Sequence, residues 1–325
     1  MVVANGAFYT SEDQFAKLSN IYTDIVYTAK RQLIVHIQGN IWTKGNKFNI
    51  VNDWRYYAYP QKTYGLGGTS SLDKFANQNF KYLRLYQTVL RTIAPSLYAG
   101  IGYGFDYHWD ITGTAQNPDG DSTVIASINS YDHLSKSISS GISGNLLYDN
   151  RLNSINASGG SYANIVFRQN FSGLGNNSWQ SLLIDLRHYI PFPKTSENVF
   201  AFWSYNWLTL NGDPPYLDLP STGWDTYGNT GEGYIQGRFR SKNLLFLEAE
   251  YRFKLMNNGL LGGVVFANAQ TVTDWPSNQF KTIAPAVGLG ARLKFNKYSR
   301  TNIAIDYGIG LGGSSGIFVN LGEVF

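Results

Sequence analysis

The chain of 325 residues contains no cysteine, and only 15% of its residues are charged. The lack of cysteine excludes disulfides, zinc–thiolate sites and cysteine nucleophiles. Soluble globular domains usually contain about 25% charged residues, so charge is scarce here. The sequence also lacks any run of the roughly 18 apolar residues that a spanning helix needs, and its mean hydropathy is −0.23. A helical membrane protein is therefore excluded.

Motifs for nucleic-acid binding and for catalysis are missing as well. Lys and Arg exceed Asp and Glu by only 26 − 22 = 4, and they form no basic stripe, so no nucleic-acid partner is expected. The four histidines are scattered, without HExxH or G-x-S-x-G spacing. We therefore expect no enzyme activity, no metal site and no cofactor. The histidines are His36, His108, His133 and His188.

What the sequence does contain is aromatic residues (15%), 34 glycines and a strict alternation of apolar with polar or small residues. In residues 245–255, for example, Leu, Ala, Tyr and Phe alternate with Glu248, Glu250, Arg252 and Lys254. Period-two alternation over about ten residues indicates β-strands. The polar face carries glycines and charges of both signs, and aromatics cluster near strand ends, as in a membrane barrel whose apolar face meets lipid. The alternative, a soluble sandwich, predicts a solvated Lys, Glu, Thr and Ser face.

These segments predict an all-β fold: a transmembrane antiparallel barrel of about 16 strands. An even count agrees with single-chain bacterial barrels and places both termini on the periplasmic side of an outer membrane. The weakest of the predicted strands is 122–130. The predicted strands are 2–11, 20–29, 32–43, 47–59, 81–92, 96–110, 122–130, 136–149, 161–172, 179–191, 198–210, 243–256, 259–271, 284–296, 301–311 and 316–325.

One connection stands out by its length. Residues 211–242, between the eleventh and twelfth predicted strands, form a long outer loop that we expect to fold into the lumen. No repeat, linker or composition break divides the chain, so residues 1–325 are interpreted as a single barrel domain in a Gram-negative type of envelope.

Several blocks of the sequence resemble the BamA/TamA family of outer-membrane barrels, the bacterial surface-antigen superfamily. The block YDNRLNSINASGGSY (148–162) is similar to an aspartate–arginine turn of that family. The segment EGYIQGRFRSKNLLFLEAEYRF (232–253) resembles its long sixth outer loop with the acidic strand that follows. The ending RTNIAIDYGIG with GIFVNLGEVF resembles its last two strands, and YPQKTYGLGG (59–68) resembles a further loop.

The resemblance implies a barrel that closes by pairing its first strand with its last. In the family this seam is short and is thought to open sideways, so that an exposed edge templates an incoming strand. Here the seam would join residues 2–11 to 316–325, and the glycines in these strands would either weaken or kink them or be ordinary barrel glycines. The expected seam residues are Gly6, Phe8, Val319, Leu321, Gly322 and Phe325.

The resemblance also implies a functional loop tip, and here the sequence departs from the family. Where the family has Arg–Gly–aromatic, this chain reads Gly231, Glu232, Gly233, Tyr234. Glu232 beside wall acids is unfavourable like-charge contact. We therefore expect Glu232 to pair with a wall arginine, or Arg238 or Arg240 to reach the acids instead. The expected wall partners are Glu248, Glu250, Arg252, Arg292 and Asp306.

Three functions remain open from the sequence. The first is assembly, insertion or translocation of proteins at the outer membrane through the seam, with lipid and nascent outer-membrane or secreted proteins as partners. The second is a passive channel. The third is a barrel anchor for an N-terminal functional domain. We expect no counterpart of the family's periplasmic docking domains in this sequence, because residue 2 already lies in a predicted strand; either these domains have been removed or the chain is a barrel-only member.

Overall fold

The computed structural model describes residues 2–12, 16–151, 153–194 and 196–325. Its main element is one antiparallel sheet. A short hairpin and one helix lie in connections outside the sheet. The strands are β1 (Val2–Phe8), β2 (Ser19–Tyr27), β3 (Leu33–Trp42), β4 (Phe48–Ala58), β5 (Gln61–Thr63), β6 (Ala76–Gln78), β7 (Lys81–Ala94), β8 (Leu97–Trp109), β9 (Ser137–Asp149), β10 (Gly160–Asn170), β11 (Trp179–Pro191), β12 (Val199–Gly212), β13 (Asn243–Lys254), β14 (Leu261–Asp274), β15 (Gln279–Phe280), β16 (Ala284–Asn296), β17 (Thr301–Gly310) and β18 (Ser315–Leu321), and the helix is α1 (Ser122–Asn129).

The sheet is an up-and-down meander that forms a barrel. It contains sixteen strands, of which fifteen follow one another in the order β1-β2-β3-β4-β7-β8-β9-β10-β11-β12-β13-β14-β16-β17-β18. The remaining strand, β15, has two residues and pairs only with β14. We call the end that carries residues 213–242 the loop end, and the opposite end, with connections such as 255–260 and 297–300, the turn end.

The charged face of the strands is buried and the apolar face is exposed, the reverse of a soluble sheet. On β13, Leu247 is 60% exposed, whereas its neighbour Glu248 is 4% exposed. On β17, Ile305 and Tyr307 point outward while Asp306 between them is buried. Alternation around a polar interior is the pattern of a membrane barrel. The predicted all-β transmembrane barrel is confirmed, as is the long loop that folds into its lumen.

The predicted strand 122–130 is wrong, because these residues form α1 in a connection at the loop end. The Asp121 side chain caps the helix by accepting from the backbone N–H groups of Thr123 and Val124. Val124, Ile125 and Ile128 are buried on one side of the helix. The buried positions i, i+1 and i+4 follow the helical period, whereas a strand would bury every second residue on one face.

The two edge strands run in the same direction. Val2 of β1 pairs with Ile25 near the loop end, and Leu321 of β18 pairs with Ile303 near the turn end. Both strands therefore run from the loop end to the turn end. The expectation that both chain ends lie on one side is wrong for the described strands, because losing the 122–130 strand changes the parity. Among the described residues, no backbone pairing joins β1 to β18.

Within the described ranges, no helix is both long and apolar enough to cross a membrane.

Candidate functional site: the lumen loop and the open strand edges

Residues 213–242 enter the barrel and fill its loop end. Tyr216, Leu217, Leu219 and Trp224 of this loop are buried in one apolar cluster with aromatic wall residues and the apolar side of α1. Trp224 lies about 6 Å from four aromatic rings of the wall and the 59–80 connection. Such aromatic pairs contribute beyond their buried area. The loop is thus a packed plug at this end of the lumen.

The loop tip, residues 231–234, docks against β16 and β17. The hydroxyl of Tyr234 donates to the carbonyl of Pro285 at 2.7 Å and accepts from the N–H of Leu311 at 3.0 Å. Gly308 and Gly310 provide the necessary room. A Cβ at Gly308 would lie 2.6 Å from the N atom of Gly233, and one at Gly310 would lie 2.5 Å from the Tyr234 ring. The two wall glycines therefore serve close approach of the loop.

Glu232 is fully buried and unpaired. Its carbonyl accepts from the Asn268 side chain at 2.9 Å. Within the described part of the chain, neither carboxylate oxygen has a hydrogen-bonding partner, and no ion pair includes the residue. Burial, together with the nearby carboxylates of Asp306 and Glu250, raises the pKa of this loop carboxyl to about 9. Glu232 is therefore neutral at pH 7 in the docked loop.

The wall arginines bind other carboxylates. Arg252 pairs with Glu250 at 2.5 Å, and Arg292 pairs with Asp306 at 2.6 Å. Both arginines also pair with Glu323, at 3.7 and 2.7 Å. The expectation that Glu232 pairs with a wall arginine is therefore wrong.

Arg238 and Arg240 do not reach the acids either. Arg238 donates to the Ser70 side chain at 2.8 Å and lies over the Tyr64 ring. Arg240 donates to the carbonyls of Tyr216 and Leu217 at 3.0 and 3.1 Å. Arg238 thus joins the loop to the 59–80 connection, and Arg240 joins two parts of the loop. The prediction that Arg238 or Arg240 reaches the wall acids is therefore also wrong.

Among the expected seam residues, four lie in the edge strands. Gly6 and Phe8 belong to β1, and Val319 and Leu321 belong to β18. A Cβ at Gly6 would meet no atom within 4 Å, and Val319 points outward with 64% of its surface exposed. Within the part of the chain that the structure describes, each of these strands pairs with one neighbour, so its other edge has backbone donors and acceptors without a strand partner.

The other two, Gly322 and Phe325, lie in a tail that leaves the strand. Gly322 has φ +115°, a conformation that L side chains rarely adopt, and β18 ends just before it. Beyond it the chain turns into the lumen, where the Phe325 ring stacks on Trp203 at 5.1 Å. The prediction that residues 316–325 form one strand is therefore corrected at Leu321, and Phe325 is not part of the edge.

The sequence analysis missed two residues that organise this site. Glu323 joins Arg252 and Arg292 to the tail, and Asn229 joins the loop to the tail by donating to the Val324 carbonyl at 2.6 Å. Glu323 interrupts an apolar alternation, which is the signal that should have marked it as a lumen residue. No sequence pattern indicates the contact of Asn229.

Comparison with known proteins agrees with this geometry. A family model described as "Omp85 superfamily domain" matches residues 47–319. Among solved structures, BamA from Haemophilus ducreyi lacking POTRA domains 1–3 aligns with a TM-score of 0.57 at 14% identity, over 98% of this chain and 68% of that one. CdiB from Acinetobacter baumannii aligns with a TM-score of 0.56 at 10% identity, over 99% of this chain and 59% of that one.

The curated protein sequences contain no significant match. The two structural likenesses, both below 25% identity, establish the barrel fold alone. The family match extends over most of the chain, from β3–β4 to β18. The chain belongs to the Omp85 superfamily of outer-membrane β-barrels.

Proposed function

We propose that this barrel inserts or translocates polypeptides at the outer membrane, and that the open edges of β1 and β18 are where it acts. The observation that carries the proposal is the pair of unpaired edges. Two strands that run in the same direction cannot close an antiparallel barrel by pairing with each other in the antiparallel sense. A further strand that runs from the turn end to the loop end could pair with both edges in the antiparallel sense.

In a membrane, strand edges without a pairing partner are energetically unfavourable, which favours the binding of a further strand. Unpaired backbone groups that face hydrocarbon cost several kcal/mol each. An incoming strand removes this cost by β-augmentation, with main-chain hydrogen bonds that do not depend on sequence. Alternation of apolar and polar residues in the incoming strand matches the outward apolar face of its neighbours. Outer-membrane proteins have this alternation, so they are the partner class that we propose.

The packed lumen argues against the passive channel. The loop end is filled by the apolar cluster around Trp224, and the tail with Phe325 extends into the lumen beyond β18. We therefore expect small or absent currents in planar bilayers; large and steady conductance would favour the channel instead. The proposed activity is non-catalytic, and the proposed orientation places the loop end outside the cell.

A cross-link tests the role of the edges, and the absence of native cysteine makes the labelling specific. Cysteines replacing Gly6 and Val319, which both lie on the outward face of the edge strands, are joined by a bifunctional maleimide, and the insertion of a barrel client is followed in proteoliposomes. We expect insertion to be lost when the edges are bridged and restored with a cleavable linker after reduction. The matched control bridges Ile25 and Val35, which already face each other on β2 and β3. Full insertion with bridged edges would refute the proposal.

A further inference from the structure

Five buried carboxylates meet two arginines where the loop tip docks. The two arginines, Arg252 and Arg292, form ion pairs with three of these carboxylates. Both oxygens of Glu232, and one oxygen each of Glu250 and Asp306, have no hydrogen-bonding partner among the described residues, and the Glu248 carboxyl lies within hydrogen-bonding reach of the Glu250 carboxyl. An uncompensated buried charge is so costly that the group takes up a proton or binds a cation. The carboxylates are Glu232, Glu248, Glu250, Asp306 and Glu323.

A proton fits this cluster better than a metal ion does. In the ranges that the structure describes, no group of three His, Cys, Asp or Glu side chains is arranged to hold a metal. A metal needs several oxygens in a fixed geometry, whereas a proton needs only one. Glu232 is the member of the cluster that lies on the loop, so its charge separates from the others when the tip leaves the wall.

We propose that the loop tip is a proton-controlled latch: residues 231–234 dock on β17 when Glu232 is protonated, and they leave the wall when it is ionised. This inference is independent of the proposed function, because it concerns the loop and not the strand edges.

The groups around Glu232 favour its neutral form. From the wall, Asp306 of β17 and Glu250 of β13 add negative charge, and Arg292 of β16 opposes them. Asp225 adds negative charge from the loop itself. Glu248 of β13 also repels the ionised form of Glu232 from the wall. The single opposing arginine is already bound to Asp306 and Glu323. Ionised Glu232 is therefore repelled from the docked position.

The direction of the pH dependence follows from linkage. The pKa of Glu232 is about 9 in the docked loop, and that of a solvated Glu is about 4.3. Docking is thus at full strength below the solvated value and weakens as the pH rises towards the docked value. Within this window, each pH unit lowers the ratio of docked to released loop about tenfold.

Spin labels on introduced cysteines measure the latch directly. One label replaces Ile235 next to the loop tip, and the other replaces Val287 on the outward face of β16. Distances are recorded for the barrel in lipid vesicles from pH 4 to pH 10. We expect the released fraction relative to the docked fraction to rise about 100-fold between pH 5 and pH 7. Glu232→Gln should keep the docked distance throughout this range.

The matched control is Glu197→Gln, which changes an exposed glutamate paired with Lys254 at the turn end. This variant should keep the pH slope of the parent chain. Three outcomes would overturn the latch: a parent loop that stays docked up to pH 10, an unchanged slope in Glu232→Gln, or docking at pH 9 that depends on an added divalent cation.

Discussion

The ion pair between Arg292 and Asp306 provides the sharpest test of a dry, charged lumen. Arg292 donates to Asp306 at 2.6 Å and to Glu323 at 2.7 Å, and it is 4% exposed. Replacing it by Met keeps the stem of the side chain and removes both charge-assisted hydrogen bonds. Each such bond contributes about 1.5–3 kcal/mol.

The loss is not shared equally between the two carboxylates. Glu323 keeps Arg252 at 3.7 Å and a hydrogen bond from Asn302. Asp306 loses its ion-pair partner, and its second carboxylate oxygen already lacks a partner among the described residues. Breaking a buried pair costs about 3–5 kcal/mol. Because Glu323 is partly compensated, we expect Arg292→Met to lower the free energy of unfolding by about 3 kcal/mol.

Reversible urea unfolding from lipid vesicles, followed by tryptophan fluorescence, measures this change. The control is Lys81→Met, which removes a partner of Asp110 at a similar separation of 2.7 Å but at an exposed position. Water screens that pair, so no measurable loss is expected. Equal losses in both variants, or less than about 1 kcal/mol for Arg292→Met, would mean that lumen water solvates the freed carboxylates.

Three further changes test the loop and the outer face. Gly310→Val places a side chain in the Tyr234 ring; we expect faster tryptic cleavage after Arg238 with an unchanged strand content by circular dichroism, and unchanged cleavage would contradict the docking geometry. Leu289→Arg moves a charge to the lipid face at mid-strand and should cost about 2–4 kcal/mol in the same urea assay; a neutral result would mean that this face is not in contact with hydrocarbon. Glu232→Arg should keep heat-modifiable migration on unboiled gels and remove the pH response of the loop, because a positive charge is stabilised by the nearby wall carboxylates. Loss of the folded band would contradict the position of the loop tip.

Period-two alternation predicted the sheet well because the barrel separates lipid from lumen on every strand. Neighbouring residues such as Leu247 and Glu248 face lipid and lumen in turn, so the alternation is visible in each short segment of sequence. Fifteen of the predicted strands therefore match strands of the meander. The 122–130 segment failed because its short apolar run fits both periods. The cap at Asp121, followed by Ser and Thr, was the available signal for a helix.

The path of the loop and of the tail depends on contacts that are distant in sequence. Arg238 binds Ser70, and Phe325 stacks on Trp203, across separations that no local pattern encodes. Glu232 interacts electrostatically with Glu250 and Asp306, but the ion-pair partners of the wall arginines were not predicted from the sequence. Arg252 and Arg292 both pair with Glu323. This residue lies in the tail, and its approach depends on the turn at Gly322.

The absence of assigned pairing between β1 and β18 among the described residues has a geometrical cause rather than a chemical one. The resemblance to the BamA/TamA family implied a seam between the first and last strands that opens sideways, in which Gly6 and Gly322 either weaken the strands or are ordinary barrel glycines. In the structure the strands run in the same direction, so stronger side chains at either glycine would not make them pair as neighbours do elsewhere in the sheet. Substituting Gly6 by Val should therefore change insertion little, whereas filling the opening with a tethered alternating strand should block it. Insertion by the tethered form would show that the edges are not where the barrel acts.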